Sequence, residues 1–297
     1  MSCPGLYCGR TILENGEFSD CGSCERGYRR NETSFICEPC LDQPVLYDWL
    51  FLGFLVLVVL ILHWFFIDLV SMKRSFCKNV LVLHASAVVE VFLAAVIAIL
   101  CMKPFGSFTV HTCRSRSLSD WYTLMHNPRP NFEDKIYCTQ EAVFPMYTIV
   151  FLFYVLALIV MLTIRPWICR KFLPRQGKMS IYSAMYFIPI LILTHAVIGG
   201  LIYYSYPYLT IVISIISCAA HFAGRMEQTI RLLLIRTFGQ PRNLFIVIGH
   251  WCLHAYGIIS LTQLTRPILH GLLLLLVPIP ALFYIFTTKF TDPVGFH

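Results

Sequence analysis

The chain has 297 residues, of which 57% are hydrophobic and only 13% are charged, and its mean hydropathy is +0.69. Because a typical soluble domain carries about 25% charged residues, this composition argues against a soluble globular enzyme. The formal net charge is +7, but the Lys and Arg residues are scattered between long apolar segments, so no nucleic-acid partner is expected.

Residues 1–48 form a polar, cysteine-rich segment that we interpret as a small extracytoplasmic module. Its cysteines include two C-x-x-C pairs, and the full set is Cys3, Cys8, Cys21, Cys24, Cys37 and Cys40. In the cytosol this spacing would favour zinc, whereas in an oxidising compartment it favours disulfides, which we expect here without choosing a pairing. Cys113 and Cys138 are expected to form a further bridge with each other.

Seven apolar segments in residues 49–288 are long enough to cross a hydrocarbon core of about 30 Å as helices. They span 49–70, 79–102, 144–164, 181–204, 207–224, 243–263 and 269–288. Ser205, Tyr206 and Pro207 separate the fourth from the fifth, and Pro189, Pro278 and Pro280 are expected to kink their helices. The predicted fold class is therefore an all-α polytopic membrane protein: a seven-helix bundle with a Cys-rich module.

The distribution of basic residues predicts the orientation of this bundle in its lipid bilayer. Three short loops are basic and should be cytosolic; their residues are Lys73, Arg74, Lys78, Arg165, Arg170, Lys171, Arg175, Lys178, Arg225, Arg231, Arg236 and Arg242. The module and the long loop 103–143 should be lumenal, and the tail 289–297 cytosolic. Asn31 begins an N-glycosylation acceptor, Asn-Glu-Thr, which can be used only on the lumenal side.

Polar side chains inside the predicted spans are functional candidates because they are costly in hydrocarbon. They are His63, Asp68, His84, Glu90, His195 and His221. His250 and His254 are four residues apart, on one helix face, and with Glu90 they could form a metal site. The alternative, which we favour, is a polar network that links packed helices.

The third basic loop, RMEQTIRLLLIRTFGQPR, places Ile230, Leu233 and Leu234 at helical spacing. This segment could lie on the membrane surface, present an apolar stripe to a cytosolic partner, or extend the fifth span as a helix. The chain contains no phosphate-binding loop, nucleophile elbow or kinase signature.

Several motifs, spread in order along nearly the whole chain, resemble those of one family. They are LYDWLFLGF and LHWFFI in the first span, LSDWYT and CTQEAVFPMYTIVF leading into the third, HWCLHAYGIIS in the sixth, and PALFYIFTTKFTDP at the C-terminus. These motifs are similar to those of the Jun N-terminal kinase-associated membrane protein (JAMP) family.

The resemblance implies a multi-pass protein of the endoplasmic reticulum membrane that acts as an adaptor. Such a protein recruits the proteasome, a RING-type ubiquitin ligase and other degradation factors to clear misfolded proteins, and it modulates Jun N-terminal kinase signalling under stress. No cofactor and no catalytic residue are expected on this reading. The alternative function is a seven-span metal-dependent membrane hydrolase that uses His250, His254 and Glu90.

Overall fold

The computed structural model of the chain describes residues 2–71, 78–125, 138–174, 177–223 and 229–291. The chain divides into two compact units, Met1–Tyr203 and Tyr204–His297. Within the described residues it is mostly helical: α1 is Leu46–Ser71, α2 is Lys78–Leu100, α3 is Met146–Phe172, α4 is Gly177–Ala223, α5 is Ile230–Gly239, α6 is Pro241–Thr262, α7 is Pro267–Leu273 and α8 is Ile279–Thr291.

The N-terminal segment folds into two short antiparallel strand pairs. Strand β1 (Cys8–Gly9) pairs with β2 (Gly22–Ser23), and β3 (Tyr28–Arg30) pairs with β4 (Cys37–Pro39). These strands are too short to bury a conventional core, so disulfides do much of the stabilising, as in other small modules of this kind. The Cys3–Cys21 and Cys24–Cys37 bridges lie within the segment.

Two further bridges join this segment to the chain between α2 and α3. Cys8 is bonded to Cys138 and Cys40 to Cys113, so the expected bridge between Cys113 and Cys138 is wrong. The two segments therefore form one body, which we call the disulfide module: residues 2–45, 101–125 and 138–145. The prediction failed because it treated 1–48 and 103–143 as separate, whereas the fold places them side by side.

Helices α1, α2 and α3 pack together beneath the disulfide module. The buried face of α2 includes the small residues Ala87, Ala94 and Ala98, which allow the α3 backbone to approach closely. At the start of α1, Asp48 accepts a hydrogen bond from the backbone N–H of Val45 at 3.0 Å, which places a carboxylate at the positive end of the helix.

Helix α4, of 47 residues, covers both the fourth and the fifth predicted spans and consists of two helices that meet at a kink. Its backbone leaves helical geometry at Ile198 and not at Pro189 or at the predicted break near Pro207. Pro207 does not end the helix, because membrane helices accommodate proline. By length and hydropathy, six elements of the described chain could cross a membrane: Leu46–Leu69, Lys78–Leu100, Met146–Phe172, Gly177–Ala223, Pro241–Thr262 and Pro267–Thr287.

The second unit packs α5, α6 and α8 around its own core. Cys218, Phe222, Leu233, Val247 and Ala281 are buried there. The seventh predicted span is not one helix: α7 is followed by a 3-10 turn, Leu274–Leu276, and α8 begins at Ile279. Pro278 lies between the 3-10 turn and α8, and Pro280 lies in the first turn of α8.

Candidate functional site

Glu90 and Arg165 form an ion pair in the interior of the first helix bundle. Arg165 Nη2 lies 2.5 Å from Glu90 Oε2, and Arg165 Nε lies 3.3 Å from Oε1. A third helix contributes His63, whose Nδ1 lies 2.9 Å from Arg165 Nη1. All three side chains are fully buried. This network links α1, α2 and α3.

Arg165 was predicted to lie in the loop after the third span, whereas the structure places it inside α3. The loop was placed at the first basic residue after the third span, but α3 continues through Arg165 and Pro166 to Phe172. A buried guanidinium requires a partner of opposite charge, and Glu90 supplies it. The signal that sequence reasoning missed was that Glu90 itself needed a cation from a neighbouring span.

The remaining polar candidates of the first unit lie in two other places. His84 Nε2 lies 3.3 Å from Asp68 Oδ1, which joins α2 to α1. His195 is buried among the aromatic rings of Phe51, Trp121 and Tyr147, and neither of its ring nitrogens has a hydrogen-bond partner among the described residues. His195 is therefore held by ring packing and does not belong to the Glu90 network.

The candidate histidines of the second unit lie beside a serine hydroxyl or beside each other. His254 Nδ1 lies 3.1 Å from the Ser214 hydroxyl, and the rings of His221 and His250 lie 6.3 Å apart. Glu90 is already bound to Arg165. In the parts of the chain that the structure describes, no three His, Cys, Asp or Glu side chains could hold a metal ion together.

Asp120 connects the two halves of the disulfide module. It is buried in a 3-10 helix, Leu118–Trp121, and accepts hydrogen bonds from the Tyr7 hydroxyl at 3.0 Å, from Arg29 Nη2 at 3.1 Å and from the backbone N–H of Arg116 at 2.7 Å. Burial raises the pKa of Tyr7 to about 12, and the nearby negative charge of Asp120 raises it in the same direction. Burial also lowers the pKa of Arg30.

Trp121 joins the disulfide module to the helices by packing against them. Its ring packs edge-on against Phe51, and a Cβ atom placed at Gly200 would lie only 2.6 Å from Trp121 Cβ. Only glycine leaves room for this contact. The module is thereby fixed to α1 and α4, which the motif LSDWYT gave no reason to expect.

Asn31 lies in a turn at the surface of the module. Its side-chain oxygen accepts hydrogen bonds from the backbone N–H and the hydroxyl of Thr33 at 2.9 and 2.8 Å, and its amide donates to Glu38 at 2.8 Å. Glu32, the middle residue of the acceptor sequence, pairs with Arg116. The acceptor sequence is thus part of an ordered turn, and Thr33 is exposed.

The third basic loop contains a separate helix, α5. It begins after Thr229, whose backbone is extended, so it is not a continuation of α4. Leu233 of the predicted apolar stripe is buried in the core of its own unit, with Ile230 packed against that core. The opposite face exposes Ile235 and Phe238, at 56% and 65%. The predicted residues Lys73, Arg74, Arg175 and Arg225 and the tail from residue 292 lie outside the described residues.

Comparison with known proteins identifies the family. The family model described as "JNK1/MAPK8-associated membrane protein" matches residues 3–293. A mouse protein of that name is 44% identical over 98% of this chain and 94% of its own length, and a human one is 43% identical with the same coverage. A Caenorhabditis elegans homologue is 29% identical, also over 98% of this chain and 94% of its own. No solved structure gives a significant match. The chain therefore belongs to the JNK1/MAPK8-associated membrane protein family, whose name and apolar helices mark it as a multi-pass membrane protein.

Proposed function

We propose that this chain is a non-enzymatic adaptor of the endoplasmic reticulum membrane that gathers the proteasome, a RING-type ubiquitin ligase and other degradation factors, together with Jun N-terminal kinase, at its cytosolic face. The observation that carries the proposal is the match to relatives named for association with JNK1/MAPK8, which covers nearly the whole chain. An adaptor of this kind needs exposed cytosolic surface and a bundle that holds it at the membrane.

The orientation we propose has the N-terminus in the lumen and the C-terminus in the cytosol. Four disulfides in the module support a lumenal position, because such bonds persist in oxidising compartments. Arg170, Lys171 and Lys178 lie near the junction of α3 and α4, which agrees with a cytosolic location for that junction.

Seven crossings also belong to this proposal, because the departure from helical geometry at Ile198 divides α4 into two helices and each is long enough to cross once. Helix α4 begins just after α3, where the backbone N–H of Gly177 donates to Leu173 at 2.9 Å. By Tyr203 it has reached the other end of the bundle, because the Tyr203 hydroxyl donates to Asp48, in the first turn of α1, at 2.6 Å. The remaining apolar residues, 204–223, extend about 30 Å as a helix, enough for a second crossing.

We assign the cytosolic contact surface to the exposed face of α5. Ile235 and Phe238 are exposed there, on a helix that lies in the most arginine-rich of the predicted cytosolic loops. Leu233, on the buried face of α5, packs into the core of the second unit. This packing holds the helix in place with its outer face exposed. Short amphipathic helices are a common way for one protein to contact another.

The adaptor proposal is tested by purifying tagged full-length protein from stressed cells in mild detergent and quantifying the co-purifying proteins by mass spectrometry. The variant pair Ile235→Glu/Phe238→Glu should lose the proteasome, the ligase and the kinase. The control pair Ile12→Glu/Phe18→Glu, two exposed apolar residues of the disulfide module, should retain them. Absence of all three partners from the wild type would overturn the proposal, and their retention by the α5 variant would overturn the assigned surface.

Orientation is tested separately through Asn31. The wild type should carry a glycan that endoglycosidase removes, and Asn31→Gln and Thr33→Ala should both abolish it. Asn15→Gln should have no effect, because Asn15 belongs to the same module but is not followed by an acceptor sequence. A membrane-inserted wild type without the glycan would contradict a lumenal, glycosylated module.

A further inference from the structure

A groove of about 560 Å³ runs from the disulfide module down the outside of α3. Its upper end is lined by polar side chains, including Arg26, Gln140 and Glu141. Its lower end is lined by Phe151, Leu152 and Val155 of α3, and Val155 lies nine residues after the start of that helix, about 14 Å along its axis. The groove therefore runs from the disulfide module along α3 as far as Val155, and α3 is a helix long and apolar enough to cross a membrane.

The upper end carries one charge of each sign. Arg26 Nε lies 3.4 Å from Glu141 Oε2, and Arg26 Nη2 donates to the Thr148 hydroxyl at 2.9 Å. The Arg26 side chain is 67% exposed, so a ligand can reach the guanidinium without displacing the protein around it. A cation beside an anion complements a zwitterionic head group better than a singly anionic one.

Gln140 belongs to the wall of the polar end of the groove. Its side chain is only 7% exposed, and its Oε1 accepts a hydrogen bond from the backbone N–H of Cys24 at 2.7 Å. Its Nε2 is buried and has no hydrogen-bond partner among the described residues. Gln140 therefore ties the wall of the groove to the Cys24 backbone and leaves Arg26 and Glu141 as the groups that a ligand can reach.

We infer that a zwitterionic phospholipid, from the leaflet on the side of the disulfide module, binds in this groove. Its phosphate accepts hydrogen bonds from Arg26, and its ammonium group lies beside Glu141. One acyl chain follows α3 past Phe151 to Val155. The volume of the groove suits a lipid head group together with part of one acyl chain. The groove is polar at the module and apolar along α3, which matches the polar head and apolar chain of the lipid.

The test uses full-length protein in nanodiscs that contain phosphatidylcholine with a photoactivatable diazirine on one acyl chain, followed by peptide mapping of the crosslinks. We expect crosslinks on α3 near Val155. Val155→Trp should fill the lower groove and reduce the yield about tenfold. Ile159→Trp is the matched control, since Ile159 is one turn further along α3, is exposed to 50% against 45% for Val155, and does not line the groove.

The polar end is tested by competition in the same nanodiscs. Unlabelled phosphatidylcholine should displace the probe from the wild type better than phosphatidylglycerol does, and Arg26→Gln should remove this preference. Arg114→Gln, at an exposed arginine of the module outside the groove, should leave the preference unchanged. Melting temperatures of all four variants close to that of the wild type establish that the differences are local.

Three results would overturn the inference. One is equal crosslinking of Val155→Trp and the wild type. Another is stronger displacement by phosphatidylglycerol than by phosphatidylcholine. The third is displacement of the lipid probe by an unfolded polypeptide at equal concentration, which would mean that the groove takes peptide segments instead.

Discussion

Arg165 on α3 neutralises Glu90 on α2 through two contacts, with both side chains removed from lipid and from water. Removing one partner of a buried ion pair leaves the other charge uncompensated, which costs about 3–5 kcal/mol, whereas replacing both partners by apolar residues is often neutral. The pair is therefore expected to show strong coupling between its two positions.

Glu90→Leu should lower the free energy of unfolding by about 3–5 kcal/mol, and Glu90→Leu/Arg165→Leu should recover most of that loss. The measurement is thermal unfolding of the purified protein in detergent. Val89→Leu is the matched control, because Val89 precedes Glu90 on α2 but is exposed on the outer face. A double variant as unstable as the single one would contradict the coupling.

The sequence predicted the membrane helices and Glu90 as the central intramembrane polar residue, because length, hydropathy and charge are local properties. It missed Arg165 because the end of a span was placed at its first basic residue, and only the three-dimensional packing reveals that this residue faces Glu90. Pro207 was expected to mark a break, but the helix continues past Pro207 and its backbone departs from helical geometry at Ile198 instead.

The disulfide pairing illustrates a second limit of prediction from the sequence. All eight cysteines were predicted to be candidates, and the structure bonds every one of them. Which cysteine meets which depends on how two segments separated by α1 and α2 come together, and spacing within either segment carries no information about that.

This pairing predicts the products of a digestion without reduction. Peptides that contain Cys8 and Cys138, and peptides that contain Cys40 and Cys113, should be recovered as crosslinked pairs by mass spectrometry after thiol blocking. Cys138→Ser should then leave Cys8 open to alkylation but not Cys40, and Cys113→Ser should do the reverse. A peptide joining Cys113 to Cys138 would contradict the fold of the module.

Tyr7 should make stability depend on pH in a defined window. The pKa of Tyr7 is raised to about 12 by burial, so the folded protein favours the neutral phenol. The ordinary pKa of tyrosine is about 10. The stabilisation that this preference provides is therefore present below pH 10 and is lost as the pH rises through about 12.

The Tyr7→Phe variant should lack that part of the pH dependence, because it has no phenol to ionise. At pH 8 it should also be less stable than the wild type by about 1.5–3 kcal/mol, since it loses a hydrogen bond to the Asp120 carboxylate. Unfolding midpoints between pH 8 and pH 12, with free thiols alkylated beforehand, provide the measurement. Tyr28→Phe, at an exposed tyrosine of the same module, is the control.

Two glycines of α6 give a matched test of packing in the second unit. A Cβ atom at Gly257 would lie 2.6 Å from Ile211 Cγ1 and 3.1 Å from the carbonyl oxygen of Pro207, while a Cβ atom at Gly249 would meet nothing within 4 Å. Gly257→Ala should therefore destabilise the protein by about 1–3 kcal/mol, because backbone and side chain on α4 must move.

The same substitution at Gly249 should have the opposite sign. Alanine there removes the conformational freedom of glycine in the unfolded chain without creating a clash, which is worth about 0.5–1 kcal/mol of added stability in a helix. Thermal unfolding of the two variants in the same detergent distinguishes the effects, because helix propensity alone would stabilise both. If Gly257→Ala is as stable as Gly249→Ala, α6 does not pack against α4 through Gly257. A loss of stability for Gly257→Ala beside a gain for Gly249→Ala places the contact between α6 and α4 at Gly257.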